Sequence, residues 1–299
     1  VAAIDLGTNT ARLLIGRRAR DGRILPLLVK RRITRLGGGF DKKTGISHEA
    51  WQRTVTALLD FAEEIRGHGV ARVRAVATSA VRDAANGEAF CAEVFSATGI
   101  RLEVIDGVTE GTLTLAGVRA GIETSSDHLL VFDVGGGSTE YTLTERERLL
   151  FTTSLSLGVV RLTEGKETLA AMTDKIGREL EELTVQLRGH GLLPLLSGAE
   201  LVGTAGTATT LAAISIGMTE YDYRRVNNYR LCLDEVRSIL NRLLPLTPAE
   251  RLLVPGLEKG REDLIIAGIG ITLATMERFG FRELTVSDFG LLEGVLLSV

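Results

Sequence analysis

The chain has 299 residues, of which 44% are hydrophobic and 24% charged, and a net charge of −3. That balance fits a globular protein with a sizeable core and excludes disordered, collagen-like and disulfide-stapled classes. Two distant cysteines, Cys91 and Cys232, and four scattered histidines exclude an H-E-x-x-H zinc site and speak against a Ser–His triad, so any metal must be held by carboxylates. The longest apolar stretch, near Leu264–Met276, is too short to span a bilayer and reads as a buried helix. The first residues read as a strand rather than a signal peptide, and the cysteine usage suits a reducing compartment. The expectation is a cytoplasmic protein without a membrane segment.

Charge is uneven. Residues 1–60 carry twelve Lys/Arg against five Asp/Glu, a balance of +7, clustered at Arg17-Arg18-Ala19-Arg20, Lys30-Arg31-Arg32 with Arg35, and Lys42-Lys43. Such a cluster either draws in a long polyanion or forms a solvated hairpin face. Nucleic acid is not expected, since no aromatic residues interleave with the basic run to make a stacking platform.

Taken in order, Val1-Ala2-Ala3-Ile4 is an apolar strand that ends in Asp5-Leu6-Gly7-Thr8-Asn9-Thr10. Ala11–Gly16 predicts a second strand, with Arg12 just past the loop. Arg23–Arg35 predicts a third, after a turn at Asp21-Gly22, and the glycine-rich stretch Leu36–Phe40 follows. Ser47 is the expected N-cap of a helix to about Arg66. Val73–Thr78 reads as a strand whose end places Thr78, Ser79 and Arg82 at a helix start, a position suited to anions. For Arg82 a salt bridge with Asp83 or another neighbour is the competing reading. Leu102–Ile105 is the next strand, and Glu110 falls in the first turn of the helix after it, where an acid also complements the helix dipole.

Residues 129–140 repeat the opening pattern: a buried strand, Asp133, then Gly135-Gly136-Gly137-Ser138-Thr139-Glu140. Glycines let a backbone approach a phosphate, hydroxyls add donors, and Asp133 and Glu140 offer oxygens to a hard cation. A tight hairpin is the alternative for this stretch alone. The 128-residue separation of Asp5 and Asp133 points to a duplicated domain whose two loops grip a phosphate chain. A hairpin at residues 143–157 follows, then helices from Gly158 and over Asp174–Arg188. A third strand–Gly–Thr element ends in Gly203-Thr204-Ala205-Gly206-Thr207 and runs into a helix to Ile216. The last expected elements are helices at 234–244, 247–253 and 262–279, a strand at Leu284–Val286 and a closing helix, Leu291–Ser298. No P-loop pattern occurs.

The combined motifs resemble the exopolyphosphatase/guanosine pentaphosphate phosphohydrolase (Ppx/GppA) family over nearly the whole chain. The resemblance rests on Asp5–Thr10 with Arg12, Ala77–Arg82, Asp133–Glu140, Ser154–Gly158, Gly203–Thr207 and Ser287–Gly290 with Glu293-Gly294. It implies an α/β protein of two actin-like (ribonuclease H-like) domains, residues 1–122 and 123–299, with the closing helix able to pack back on the first domain and an active-site cleft between the two. It further implies Glu110 as the residue that orients and deprotonates water. Phosphate ligands would come from Thr8, Asn9, Thr10, Arg12, Ser79, Arg82, Gly135, Gly136, Gly137, Ser138 and Thr139. Gly206 and Thr207 would join that set if the third Gly–Thr loop binds another phosphate or a nucleotide at its helix N-terminus; close helix–strand packing is the competing reading of that loop. Mg²⁺, or Mn²⁺, would be held by Asp5, Asp133 and Glu140. The implied partner is inorganic polyphosphate, with guanosine penta/tetraphosphate as a second candidate and a homodimer as a candidate assembly. Three positions depart from the family pattern: Thr112 replaces an arginine, Leu292 replaces the arginine of the closing motif, and Asn227-Asn228 replace His-Gly. Transfer of phosphate from polyphosphate to ADP, and non-catalytic sensing of polyphosphate, stand as the alternatives to hydrolysis.

Overall fold

A computed structural model describes residues 1–19, 23–41, 43–165 and 168–299. The expected Asp21-Gly22 turn, Arg20 and Lys42 lie outside the described residues. In the first 120 residues the elements are β1 (Ala2–Leu6), β2 (Thr10–Arg18), β3 (Ile24–Ile33), α1 (His48–Gly67), β4 (Val73–Ala77), α2 (Ser79–Arg82), α3 (Gly87–Thr98), β5 (Leu102–Val104) and α4 (Gly107–Arg119). Next come β6 (His128–Val134), β7 (Thr139–Glu145), β8 (Arg148–Leu155), α5 (Val159–Gly165), α6 (Leu169–Gly189), β9 (Glu200–Thr204), α7 (Ala205–Ile216) and α8 (Tyr223–Val226). The remainder is β10 (Arg230–Cys232), α9 (Leu233–Leu243), α10 (Pro248–Arg251), α11 (Ile265–Phe279), β11 (Glu283–Val286) and α12 (Leu291–Leu297). The chain divides into two compact units, Val1–Ala120 with Gly290–Val299, and Gly121–Phe289.

The first unit is a five-stranded sheet ordered β3-β2-β1-β4-β5. β1 pairs antiparallel with β2 and parallel with β4. A strand with parallel and antiparallel neighbours cannot expose an edge, so β1 reads as nearly continuous apolar sequence. Its side chains join Leu13, Leu58, Phe61, Phe90 and Val94 in one core. Ser47 caps α1 by accepting from Ala50 N–H at 3.4 Å. On β3, Lys30 Nζ bonds Asp60 Oδ1 at 3.1 Å and Glu64 Oε1 at 2.6 Å, and Arg32 Nη2 bonds Asp60 Oδ2 at 2.7 Å. Part of the basic cluster is therefore matched by acids on α1.

α12 completes this unit by lying against α4. A Cβ at Gly117 would fall 1.9 Å from Gly290 O, and one at Gly294 would fall 1.8 Å from Leu113 O. Glycine at both positions lets the two helix backbones touch. Leu292, the departure in the closing motif, is fully buried on this helix.

The second unit repeats the order. Its sheet runs β10-β11-β9-β6-β7-β8, so β8, β7, β6, β9 and β11 occupy the places of β3, β2, β1, β4 and β5. The expected duplication of an α/β, ribonuclease H-like unit is thus present in the strand order itself. Its core gathers Phe132, Tyr141, Leu183, Leu211, Ile269 and Met276, among others. The apolar stretch expected to be a buried helix is α11, and no described helix is long and apolar enough to cross a membrane. Asn227 and Asn228 explain their own departure from His-Gly. Both side-chain amides donate to Gly121 O, at 2.7 and 3.1 Å. Their carbonyls accept from Asp288 N and Glu123 N, at 3.0 and 2.8 Å. Asn228 takes φ +63°, a conformation asparagine tolerates better than most non-glycine residues.

Candidate active site

In the first unit, the β1–β2 turn is closed by Gly7 N donating to Thr10 O at 3.0 Å. This turn carries Thr8 and Asn9, both buried. Thr8 Oγ1 lies 3.0 Å from Ser79 Oγ at the start of α2. Asn9 Nδ2 makes a long contact, 3.5 Å, to Thr10 Oγ1, and its buried Oδ1 has no hydrogen-bond partner among the described residues. A buried amide left in this state is prepared for a polar ligand, because desolvation without a partner costs about 1–3 kcal/mol.

Three residues after Ser79, Arg82 ends the same short helix. Its Nη1 donates to Ile105 O at 2.9 Å and stands 3.6 Å from Glu110 Oε2. Its Nε is 3.6 Å from Asp83 Oδ1. Both acids are neighbours of the kind the competing salt-bridge reading of Arg82 expected. Glu110 is buried in the first turn of α4. Asp106 starts that helix by accepting from Thr109 N at 2.8 Å, and this bond is the main reason its carboxyl sits below the usual range. Thr112 is exposed and its hydroxyl turns back to Val108 O at 2.8 Å.

Asp5 and Arg12 are cross-strand partners on β1 and β2. Arg12 Nη2 also lies 3.8 Å from Glu293 Oε1, while Glu293 Oε2 accepts from Gly290 N at 2.8 Å and caps α12. Arg12, expected as a phosphate ligand, thus has carboxylate company on α12. Glu293 is a site neighbour to which the sequence assigned no role.

In the second unit, Asp133 and Glu140 face each other across β6 and β7, with Cα partners in register. Both are buried. Directly paired residues place their Cβ atoms about 5 Å apart on one face. Side chains so placed can both reach one divalent cation, which would offset the repulsion between their charges. Ser154 on β8 donates to Glu140 Oε1 at 2.6 Å; it is in register with Glu140, which only strand pairing reveals.

The turn between them is held from one side. Gly135 N donates to Ser138 O at 3.0 Å, and the carbonyls of Gly135 and Gly136 accept from Val159 N and Val160 N at 3.0 and 2.9 Å. In a trans peptide the N–H points away from its carbonyl. The amides of Gly136 and Gly137 therefore face away from α5, as an anion cradle requires. Gly158 permits this close approach, because a Cβ there would sit 2.3 Å from Gly136 O. The buried Thr139 hydroxyl donates to Leu157 O.

At the third loop Ala205 adopts φ +61°. Arg261 lies over Gly206, where a Cβ would meet its guanidinium at 1.8 Å, and its Nε donates to Glu258 Oε2 at 3.2 Å. Thr207 packs against Gly268. Nothing in the sequence marked Arg261 as a neighbour of this loop.

The structure brings together Thr8 with Ser79, Arg82 with Glu110, and Asp133 with Glu140. Asp5 belongs to the first unit and the latter pair to the second. Among the described residues, no group of three or more His, Cys, Asp or Glu side chains is arranged to hold a metal ion.

A model of the Ppx/GppA phosphatase family matches residues 17–299. Exopolyphosphatase 2 of Mycobacterium tuberculosis is 36% identical over 100% of this chain and 98% of its own length. The solved structure of the Aquifex aeolicus PPX-GPPA enzyme is 33% identical, with a TM-score of 0.80 over 100% of this chain and 98% of that one. That of an exopolyphosphatase from Cytophaga hutchinsonii is 27% identical, with a TM-score of 0.90 over 99% of this chain and 96% of that one.

Proposed function

Since the chain belongs to the Ppx/GppA phosphatase family, we propose that this phosphoanhydride hydrolase is an exopolyphosphatase that removes the terminal phosphate of inorganic polyphosphate. The observation that carries the reading is the linked set Thr8–Ser79–Arg82–Glu110. Two hydroxyls, a guanidinium and a buried carboxylate are joined through one helical turn.

Hydrolysis of a phosphoanhydride asks for fixed phosphates, charge neutralisation and an in-line water rather than covalent work by the protein. Glu110 orients the water and takes its proton. The water oxygen bonds to the terminal phosphorus, the bridging P–O bond breaks, and orthophosphate leaves a chain one unit shorter. Arg82 holds Glu110 and offers charge to the phosphoryl oxygens. Asn9, Thr8 and Ser79 supply polar groups, and the Gly135–Thr139 cradle supplies backbone N–H groups. Arg12, Thr10, Gly206 and Thr207 are further phosphate contacts in this reading.

Mg²⁺, or Mn²⁺, fits the Asp133–Glu140 pair. Mg²⁺ keeps several waters and binds through one or two carboxylates plus substrate phosphates, so a three-acid cage is not required. Asp5 is the third acid in this reading. The bound ion would neutralise charge on the phosphates. The pppGpp γ-phosphoanhydride is the same bond type and is proposed as a second substrate.

Phosphate release from long-chain polyphosphate with Mg²⁺, for the native chain and Glu110→Gln, tests the reading. Release by the native chain and its loss in the variant, with polyphosphate still bound, is the expected result. Turnover that appears only with ADP, as ATP, would replace hydrolysis by phosphotransfer. Binding without turnover would make the chain a sensor.

A further inference from the structure

The glycine-rich stretch after β3 has no part in the chemistry above, yet it is fastened to the first loop. Leu36 is fully buried and anchors the stretch in the core. Thr34 N and Arg35 N both donate to Asn9 O, at 3.0 and 2.9 Å, and Gly37 N donates to Thr8 O at 2.8 Å. Arg35 takes φ +46° in this clasp, a conformation uncommon outside glycine.

Thr8 has two faces in this arrangement. Its hydroxyl meets Ser79 Oγ at 3.0 Å. Its methyl, Cγ2, meets Gly37: a Cβ built there would lie only 2.2 Å away. The φ of Gly37 lies outside the left-handed region, so the backbone does not demand glycine. Space for the Thr8 methyl does. Threonine is stiff about χ1, so the place of its methyl decides the direction of its hydroxyl.

We propose that Gly37 is a positioning residue, which fixes the Thr8 rotamer and so aims the Thr8–Ser79 hydroxyl pair at the substrate phosphate. The proposal rests on the reading that this pair binds phosphate. An added side-chain carbon at residue 37 pushes the methyl aside and turns the hydroxyl from Ser79.

The test is a cycle of Gly37→Ala, Thr8→Ser and their combination, read by KM and kcat on polyphosphate beside thermal unfolding. Gly37→Ala should raise KM about tenfold, the loss of one well-placed hydrogen bond to a charged group. Thr8→Ser removes Cγ2 and keeps the hydroxyl, so the double variant should match Thr8→Ser alone. A merely structural glycine would give the same defect in both backgrounds. If Gly37→Ala does not fold, a folded double variant with the KM of Thr8→Ser still supports the proposal. An unchanged KM in Gly37→Ala, an undiminished defect in the Thr8→Ser background, or an unfolded double variant overturns it. Thr8→Val keeps the shape without the hydroxyl. A native KM in that variant would overturn the phosphate reading itself, whatever the cycle shows.

Discussion

Arg82 Nη1 donates to the Ile105 carbonyl at 2.9 Å and stands 3.6 Å from the Glu110 carboxylate. One guanidinium thus joins a strand end to the candidate base. Glu110→Gln should lower kcat by about 10²–10⁴-fold, the usual contribution of a positioned general base. Arg82→Ala should lower it too, and the two losses should combine less than additively because the groups act as a unit. Steady-state kinetics on the two single variants and the double variant measure the coupling. Fully multiplicative losses would separate the roles of Arg82 and Glu110.

The helix that carries Glu110 is seated by backbone contact. Gly117→Ala would set a Cβ 1.9 Å from Gly290 O, an overpacking typically costing about 1–3 kcal/mol. Denaturant unfolding should show the loss, and kcat should fall with it as α4 shifts. Gly177→Ala, exposed within α6 where a Cβ meets nothing, is the control: it should leave kcat unchanged and, if anything, raise stability.

Tyr141 is buried between β7 and α11. Thr275 Oγ1 donates to Ile271 O at 2.8 Å, so in the 2.7 Å Tyr141–Thr275 contact the phenol is the donor. Tyr141→Phe should cost about 1 kcal/mol at neutral pH. Burial pushes the phenol's pKa up from its ordinary value of 10.0. The folded state then keeps a proton that the unfolded state gives up, so this contribution is complete below pH 10.0 and shrinks as pH rises above it. Urea titrations from pH 9 to pH 11 should show native stability falling more steeply than that of Tyr141→Phe.

Asp133→Asn and Glu140→Gln each remove one charge of the buried pair. Either should raise the Mg²⁺ concentration needed for half-maximal phosphate release. Chelation should abolish release by the native chain and added Mg²⁺ should restore it. A metal titration that superimposes on the native curve would remove that residue from the metal site.

Arg17 and Arg18 are exposed at the end of β2. Their joint replacement by alanine should raise KM for long polyphosphate at low salt and leave kcat intact, with the difference fading as salt screens the charges. An unchanged KM at low salt would mark the basic face as merely solvated.

Periodicity and turn chemistry made most of this fold legible. β1 and β6 showed as apolar runs ending in Asp and Gly, and their duplication announced the repeated sheet. Glu110 was expected in the first turn of its helix, and it lies there: the helix begins at Gly107, because Asp106 caps it. The residues after Thr78 predicted a helix; they form one turn and then α3 from Gly87. A Cβ at Gly87 would lie 2.3 Å from Val81 O, so the glycine's role is a tertiary approach that propensity does not record. β10 has three residues, too few for any period to show. Asp133 and Glu140 were visible as types in a pattern. Ser154 was not visible as a neighbour of Glu140, nor Arg261 of Gly206, nor Glu293 of Arg12, since each reaches its partner across strand pairing or a long sequence interval.

The first unit borrows its last helix from the far side of the second. α4 can form once residue 119 exists, but its glycine seat against α12 needs residues 290–297. During synthesis at about 5–20 residues per second, the intervening 169 residues of Gly121–Phe289 delay that seat by roughly 8–34 s. The second unit, contiguous in sequence, can finish its core meanwhile. Order of emergence and order of completion are thus reversed. The helix bearing Glu110 is among the last parts to be locked, so a newborn chain should hold a finished second unit before it holds a finished candidate base.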